Sequence, residues 1–273
     1  MELLVLNWWD YVALLSIIFI GIPHGALDGA ISIALGYSKK IQSQLIFIFC
    51  YVLIAVVVVF VWMLLPIFSL TFFLFLSIFH FGLGDLKWKY NMLYILNGYL
   101  HGGLIVFGII FLNKDKVDIL FSALSGNDLS LLWYSLYTGV FVWVVTVVFL
   151  FFYNQKNFFS KEYFKLLVAI LSIILLFPPL PAFALYFCLI HSWKHVSRIL
   201  PILFNFTTRS NVFLLMILFS LLSWIAGFLG IYYIFDEYGF SNSVLKITFI
   251  GLASLTVPHM ILVDGFFRPK FKI

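Results

Sequence analysis

The chain is 273 residues long, room enough for one or two soluble domains, yet 64% of it is hydrophobic and 10% charged, where soluble domains carry roughly 25% charged residues. With a mean hydropathy of +1.14, this composition excludes the soluble classes and predicts an all-α, polytopic transmembrane bundle forming a single domain, 1–273. The net charge of +5 then speaks for membrane orientation, not for nucleic acid as a partner, because Lys and Arg in such chains chiefly set which side is cytoplasmic.

A spanning helix needs about 20 mostly apolar residues. Nine runs approach that length: roughly 10–36, 43–64, 66–84, 91–112, 129–153, 162–177, 180–201, 211–234 and 244–266. The third and sixth are short, so eight spans remain an option if one is re-entrant. Pro66 and Pro178-Pro179 suit sharp turns between neighbours. The first run lacks a basic n-region and is preceded by Glu2 and Asp10, so no cleavable signal is expected. With the N-terminus outside and the C-terminus inside, thirteen of the sixteen basic residues fall on the cytoplasmic side, as the positive-inside rule requires. They are Lys39, Lys40, Lys87, Lys89, Lys156, Lys161, Lys165, Lys194, Arg198, Arg209, Arg268, Lys270 and Lys272; Lys114, Lys116 and Lys246 lie opposite. A multi-pass protein of the cell membrane follows.

Trp8 and Trp9 fit an interfacial belt at the first helix end. The 34 Phe serve first as packing and lipid-facing bulk, and second as lining for an apolar cavity. Gly82, Gly84, Gly102, Gly103, Gly227 and Gly230 permit close helix approach. Cys50 and Cys188 sit in apolar runs with no metal or redox spacing and read as packing residues. Pro23-His24 followed by Asp28, and Pro258-His259 followed by Asp264, look alike, a faint sign of internal duplication.

The six histidines, His24, His80, His101, His191, His195 and His259, all lie inside apolar runs. On the nine-span reading they form a layer from mid-depth towards the cytoplasmic end, taking about 1.5 Å per residue. Eight of the eleven acids are at termini or joints; Asp28, Asp85 and Asp264 each follow a histidine by four or five residues. A regular helix brings Asp28 onto the face of His24, whereas Asp85 and Asp264, at i+5, must bond histidines elsewhere or sit past a local break. His191-Ser192-Trp193-Lys194-His195 places two imidazoles one helical turn apart, a spacing that chelates one metal ion.

Buried in lipid, such side chains are costly unless used. Neutral imidazoles suit Fe, Zn, Cu or Ni, and nearby carboxylates offset the ion's charge and fix each imidazole's tautomer. A lone intramembrane histidine is often no more than an interhelical hydrogen-bond partner, but six with three acids predict a metal site. A proton- or metal-translocating transporter, a membrane di-iron desaturase or hydroxylase, and a bis-histidine haem protein are the competing readings. The desaturase needs about eight histidines in repeated boxes, and this chain has six with a single HxxxH.

Gly21-Ile22-Pro23-His24-Gly25-Ala26-Leu27-Asp28, His80-Phe81-Gly82-Leu83-Gly84-Asp85, Asn97-Gly98-Tyr99-Leu100-His101-Gly102, His191 to His195 and Pro258-His259 to Asp264 together carry a resemblance to a known family. In these motifs the chain resembles the Brp/Blh family, integral-membrane β-carotene 15,15′-dioxygenases that supply retinal to rhodopsins, and it does so from first helix to last. The resemblance implies an iron(II) enzyme that uses O2 to split the central double bond of β-carotene, or of related carotenoids, into two all-trans-retinal molecules. It also implies that His24, His80, His191 and His195 hold the iron. His101 and His259 are then secondary, and Asp28, Asp85 and Asp264 are expected to accept hydrogen bonds from the histidines. Phe79, Phe81, Phe187 and Trp193 neighbour the ligands in sequence and are expected to wall an apolar substrate cavity within the lipid bilayer.

Overall fold

The computed structural model describes residues 5–86, 92–153 and 161–272, so Glu2, Lys87, Lys89 and Lys156 lie outside the described residues. Every regular element within them is helical. In chain order these are α1 (Trp8–Leu35), α2 (Ile41–Leu64), α3 (Pro66–Asp85), α4 (Met92–Leu112), α5 (Lys114–Ser125), α6 (Ser130–Tyr153), α7 (Lys161–Leu176), α8 (179–203) and α9 (Arg209–Phe271). Six of them, α1, α2, α3, α4, α6 and α9, are long and apolar enough to cross a membrane. All nine apolar runs fall on helix. Between the fourth and fifth runs stands α5, which sequence length alone did not single out; its Asn113, Lys114 and Lys116 mark a polar start too short to span.

The last two runs are the two arms of α9, which meet at a break at Gly239, where φ is 70°. That left-handed conformation is open to glycine at little cost, and it lets the second arm of α9 return along the first. A Cβ on Gly230 would lie 2.9 Å from Ile247, so the arms touch where the side chain is missing. The same device joins α3 to α4 more tightly. A Cβ on Gly82 would sit 1.8 Å from the Gly98 carbonyl oxygen, and one on Gly102 would sit 1.8 Å from that of Ile78. In lipid, where hydrophobicity does not drive helices together, such close approach supplies the packing that does.

The outer surface is apolar. Leu45, Phe49, Val52, Val56, Phe60 and Met63 of α2 are exposed, as are Leu214, Leu218, Leu221, Ile225, Phe228 and Leu229 of α9. Soluble proteins do not carry contiguous apolar bands of this extent; a helix face bathed in acyl chains does. Polar side chains are drawn inward instead, and His24, Asp28, His80, Asp85, His101, His191, His195, His259 and Arg268 are all buried.

Three π-helical stretches interrupt the regular helices: Ile17–Gly21, Tyr186–Ser192 and Val263–Phe267. Each flanks or contains a member of the histidine–aspartate set, in keeping with the habit of π-turns to occur at functional sites. Pro23 has no N–H to return to the preceding turn. The Ile18 carbonyl, five residues earlier, accepts instead from Trp224 Nε1 at 2.9 Å.

Candidate metal centre

Four helices bring five imidazoles together. His24 comes from α1 beside Pro23, His80 from the last turns of α3, His191 and His195 from α8, and His259 from α9 beside Pro258. Ring centroids are 4.8 Å apart for His80 and His191, 4.9 Å for His195 and His259, and 5.3 Å for His24 and His195. His24 and His191 lie at 5.5 Å, His24 and His259 at 5.4 Å, and His80 and His259 at 5.3 Å. One ligand nitrogen each from His24, His80 and His191 falls within a mutual 4.8 Å, a grouping able to hold a metal ion.

The carboxylates fix how these rings are turned. His191 Nδ1 lies 3.2 Å from Asp85 Oδ1, and His80 Nδ1 lies 3.4 Å from Asp264 Oδ2. His259 Nδ1 lies 2.8 and 3.0 Å from the two oxygens of Asp28. An ionised carboxylate only accepts, so in all three rings Nδ1 carries the hydrogen and Nε2 presents its lone pair. His24 follows the same rule with a different partner: its Nδ1 donates to the Gly21 carbonyl, with Ser192 Oγ 3.2 Å away. The expected pairing of Asp28 with His24 through the i+4 spacing does not form. A turn at residues 26 and 27 breaks α1 between them, and Asp28 faces α9 instead. Asp85 and Asp264 do bond histidines of other helices.

Three observations test whether these residues suit a metal. His80 Nε2 and His191 Nε2 stand 3.2 Å apart; with both lone pairs directed there, nothing but a cation or a proton makes the contact favourable. Two imidazoles bound at right angles, each about 2.0–2.1 Å from one ion, would have nitrogens about 3 Å apart. Both ring nitrogens of His195, and Nε2 of His259, find no hydrogen-bond partner among the described residues although fully buried. Unmatched buried polar atoms cost about 1–3 kcal/mol each, and metal coordination would remove that cost for one nitrogen of each ring. The donor set fits a metal held by imidazoles.

His101 stands apart. Its Nε2 is 3.2 Å from Asp85 Oδ2 and its Nδ1 is 3.4 Å from the Tyr163 hydroxyl, so it reaches the cluster only through Asp85. Tyr186 donates to Asp85 Oδ2 at 3.0 Å, and Lys194 Nζ is 3.9 Å away. Two arginines finish this side. Arg268 donates to the carbonyls of Leu83 (2.7 Å) and Gly84 (2.9 Å), and its Nε lies 3.3 Å from Asp264 Oδ1 without hydrogen-bond alignment. Arg198 donates to the carbonyls of Gly84, Asp85 and Leu86 at 2.8, 2.9 and 3.2 Å. The final carbonyls of α3 have no partners within the helix, and two cations at the negative end of its dipole hold His80 and Asp85 in place.

Of the aromatic residues expected to line a cavity, Phe81 and Phe187 pack on the histidines. Phe81 meets His191 edge-on at 4.9 Å; Phe187 meets His24 at 5.1 Å and stacks on His191 at 6.0 Å. Phe79 stacks instead on Tyr99 of α4 at 5.6 Å. Trp193 corrects the expectation: it is 71% exposed, because two residues beyond His191 a helical side chain points to the opposite side, here the outer surface. Sequence reasoning also passed over Tyr51, Tyr186 and the second role of Arg198 and Arg268. A hydroxyl inside an apolar run, and an arginine four residues after Asp264, were the available signals.

Beside His24 and His259 lies a narrow cavity of about 40 Å³, lined also by Ile22, Gly25, Tyr51 and Thr256. Tyr51 also borders a wider cleft of about 360 Å³ on the bundle surface, between Phe47, Cys50 and Ile54 of α2 and Ile261 and Phe266 of α9. The inner cavity admits small molecules only, while the cleft is within the size range of ligand sites.

Residues 15–267 match the family described as beta-carotene 15,15′-dioxygenase. A curated protein of that name from uncultured marine bacterium 66A03 is 36% identical over 272 residues, covering 95% of this chain and 94% of its own length. No solved structure matches the chain. Near full-length coverage by both shows that the chain belongs to the beta-carotene 15,15′-dioxygenase family.

Proposed function

We infer that this chain is an iron(II)-dependent oxygenase that cleaves the central 15,15′ double bond of β-carotene with O2 to give two all-trans-retinal molecules. The observation that carries the reading beyond a shared name is the convergence of buried ligand nitrogens from His24, His80 and His191, with the unpartnered ring of His195 against His24. These four histidines would hold the iron, and Asp85 and Asp264 keep the Nε2 lone pairs of His191 and His80 available by occupying their Nδ1 hydrogens. The bound metal would supply the redox chemistry that O2 activation requires, which side chains alone lack.

The remaining work belongs to the protein. Phe81 and Phe187 press on the imidazoles and exclude water from their faces. The cleft between α2 and α9 opens on the apolar outer surface, so a polyene dissolved in lipid reaches it without crossing water. Depth of insertion, not polar recognition, then selects the double bond presented to the centre. The bundle crosses the cell membrane nine times, N-terminus out and C-terminus in, and its product serves retinal-binding rhodopsins. The test is expression in cells that accumulate β-carotene: their yellow colour should fade as retinal appears with iron present. Unchanged carotene alongside abundant, iron-loaded protein would reject the reading.

A further inference from the structure

His259 stands outside the three-nitrogen group of His24, His80 and His191, yet like His80 and His191 it is a buried ring whose Nδ1 is held by a carboxylate. Its side chain is 3% exposed, its Nδ1 is held by both oxygens of Asp28 at 2.8 and 3.0 Å, and its Nε2 is buried without a partner among the described residues. Its ring lies 4.9 Å from His195, 5.3 Å from His80 and 5.4 Å from His24, closer to three members of the cluster than His195 is to His191, at 6.3 Å. The backing continues outward, for Tyr51 of α2 donates to Asp28 Oδ2 at 2.8 Å. A carboxylate whose two oxygens are so engaged fixes the tautomer and the ring plane together, as outer partners of ligating histidines do. A histidine retained only for helix packing would have no need of a desolvated, unmatched Nε2 beside three other imidazoles.

We propose that His259 is a ligand of the same metal, oriented by Asp28 and, through it, by Tyr51. The centre is then built from five imidazoles of four helices, and the two Pro-His segments face each other across it as paired donors. The inference rests on the iron reading above. It adds a fifth donor, supplied by α9 and backed by Asp28, to the four histidines named there.

The experiment uses full-length protein in detergent or nanodiscs. Iron(II) retention against a competing chelator is measured for the unmodified chain, His259→Gly, Asp28→Asn and Tyr51→Phe, and His259→Gly is repeated with added ¹⁵N-labelled imidazole. His259→Gly should bind iron at least tenfold more weakly, and imidazole should restore retention. The label should show electron–nuclear coupling in the spin-echo spectrum of the nitrosyl adduct, which a merely space-filling imidazole would not produce. Asp28→Asn should weaken retention about 10–100-fold, as loss of such a partner typically does, and should keep the fold even where the glycine variant does not; Tyr51→Phe should have a smaller effect of the same sign. Undiminished iron retention in both His259→Gly and Asp28→Asn, or rescue without label coupling, overturns the proposal while leaving the four-histidine reading intact. An unmodified chain that binds no iron removes both.

Discussion

Two groups of buried polar side chains meet at His191, and they differ in how completely their hydrogen-bonding capacity is used. Around Asp85, donors and acceptors match: His101, His191 and Tyr186 approach its oxygens, and Arg198 and Arg268 take up the carbonyls at the end of α3. Among the five clustered imidazoles, matching fails within the described residues: His195 has two nitrogens and His259 one without partners, and two Nε2 atoms lie 3.2 Å apart. In a medium with no water to compensate, a balanced network is what a helical bundle needs in order to assemble. An unbalanced one persists only if something else completes it. The first group builds the site; the second offers the lone pairs that a metal ion would take.

The sharpest way to break this contrast is at the residue the two groups share. His191→Ala removes a nitrogen from the cluster and a donor from Asp85, so retinal formation should fall below detection and iron occupancy should drop with it. The protein should still accumulate in membranes, since the α3–α4 contact at Gly82 and Gly102 does not involve it. Retinal production and metal content of the purified variant decide the matter, and full activity would end the claim that His191 is a ligand.

A milder cut separates the groups. Asp85→Asn keeps the shape but replaces an acceptor with an amide that can also donate, releasing His191 from its fixed tautomer; iron affinity should fall about 10–100-fold. His101→Asn touches the same carboxylate from the far side. It should leave iron affinity close to that of the unmodified chain and lower stability by about 1–3 kcal/mol, the usual cost of an unmatched buried partner. Chelator competition and thermal unfolding in one detergent compare the two. Equal loss of iron in both variants would merge the groups into one.

The apolar helices were legible because a membrane allows few backbone solutions: apolar runs, tight prolines and charged joints located them, and only the short polar-started α5 escaped. The convergence of His24, His80 and His191 was foreshadowed by their restriction to apolar runs, and the three acids by theirs. What the sequence could not convey was pairing across helices. Asp28 stands at the right spacing for His24, yet its partner is His259, 231 positions away, because a turn at residues 26 and 27 redirects it. Chain neighbourhood misled in the same way at Trp193, since residues two apart on a helix face opposite directions. The π-turns were equally hidden, as no composition rule marks the extra residue they insert.

The smallest expected effect is at Trp193, and it is read against Phe187 on the other face of α8. Phe187 is 2% exposed and contacts both His24 and His191, and it fills the space that a Cβ on Gly21 would need. Phe187→Ala therefore opens a hole against two imidazoles; buried aromatic truncations typically cost about 3–5 kcal/mol, and retinal formation should fall with the loosened ring positions. Trp193 lies six residues further on, 71% exposed on the outer face. Its replacement by alanine removes contact with lipid, not with the centre, so stability should move by no more than about 0.5 kcal/mol and the rate of retinal formation should hold. Measured side by side in the same membranes, the two variants test whether the inner face of α8 alone serves the chemistry. A loss for Trp193→Ala as large as that for Phe187→Ala would show that the outer face of α8 is part of the polyene's path, beside the cleft between α2 and α9.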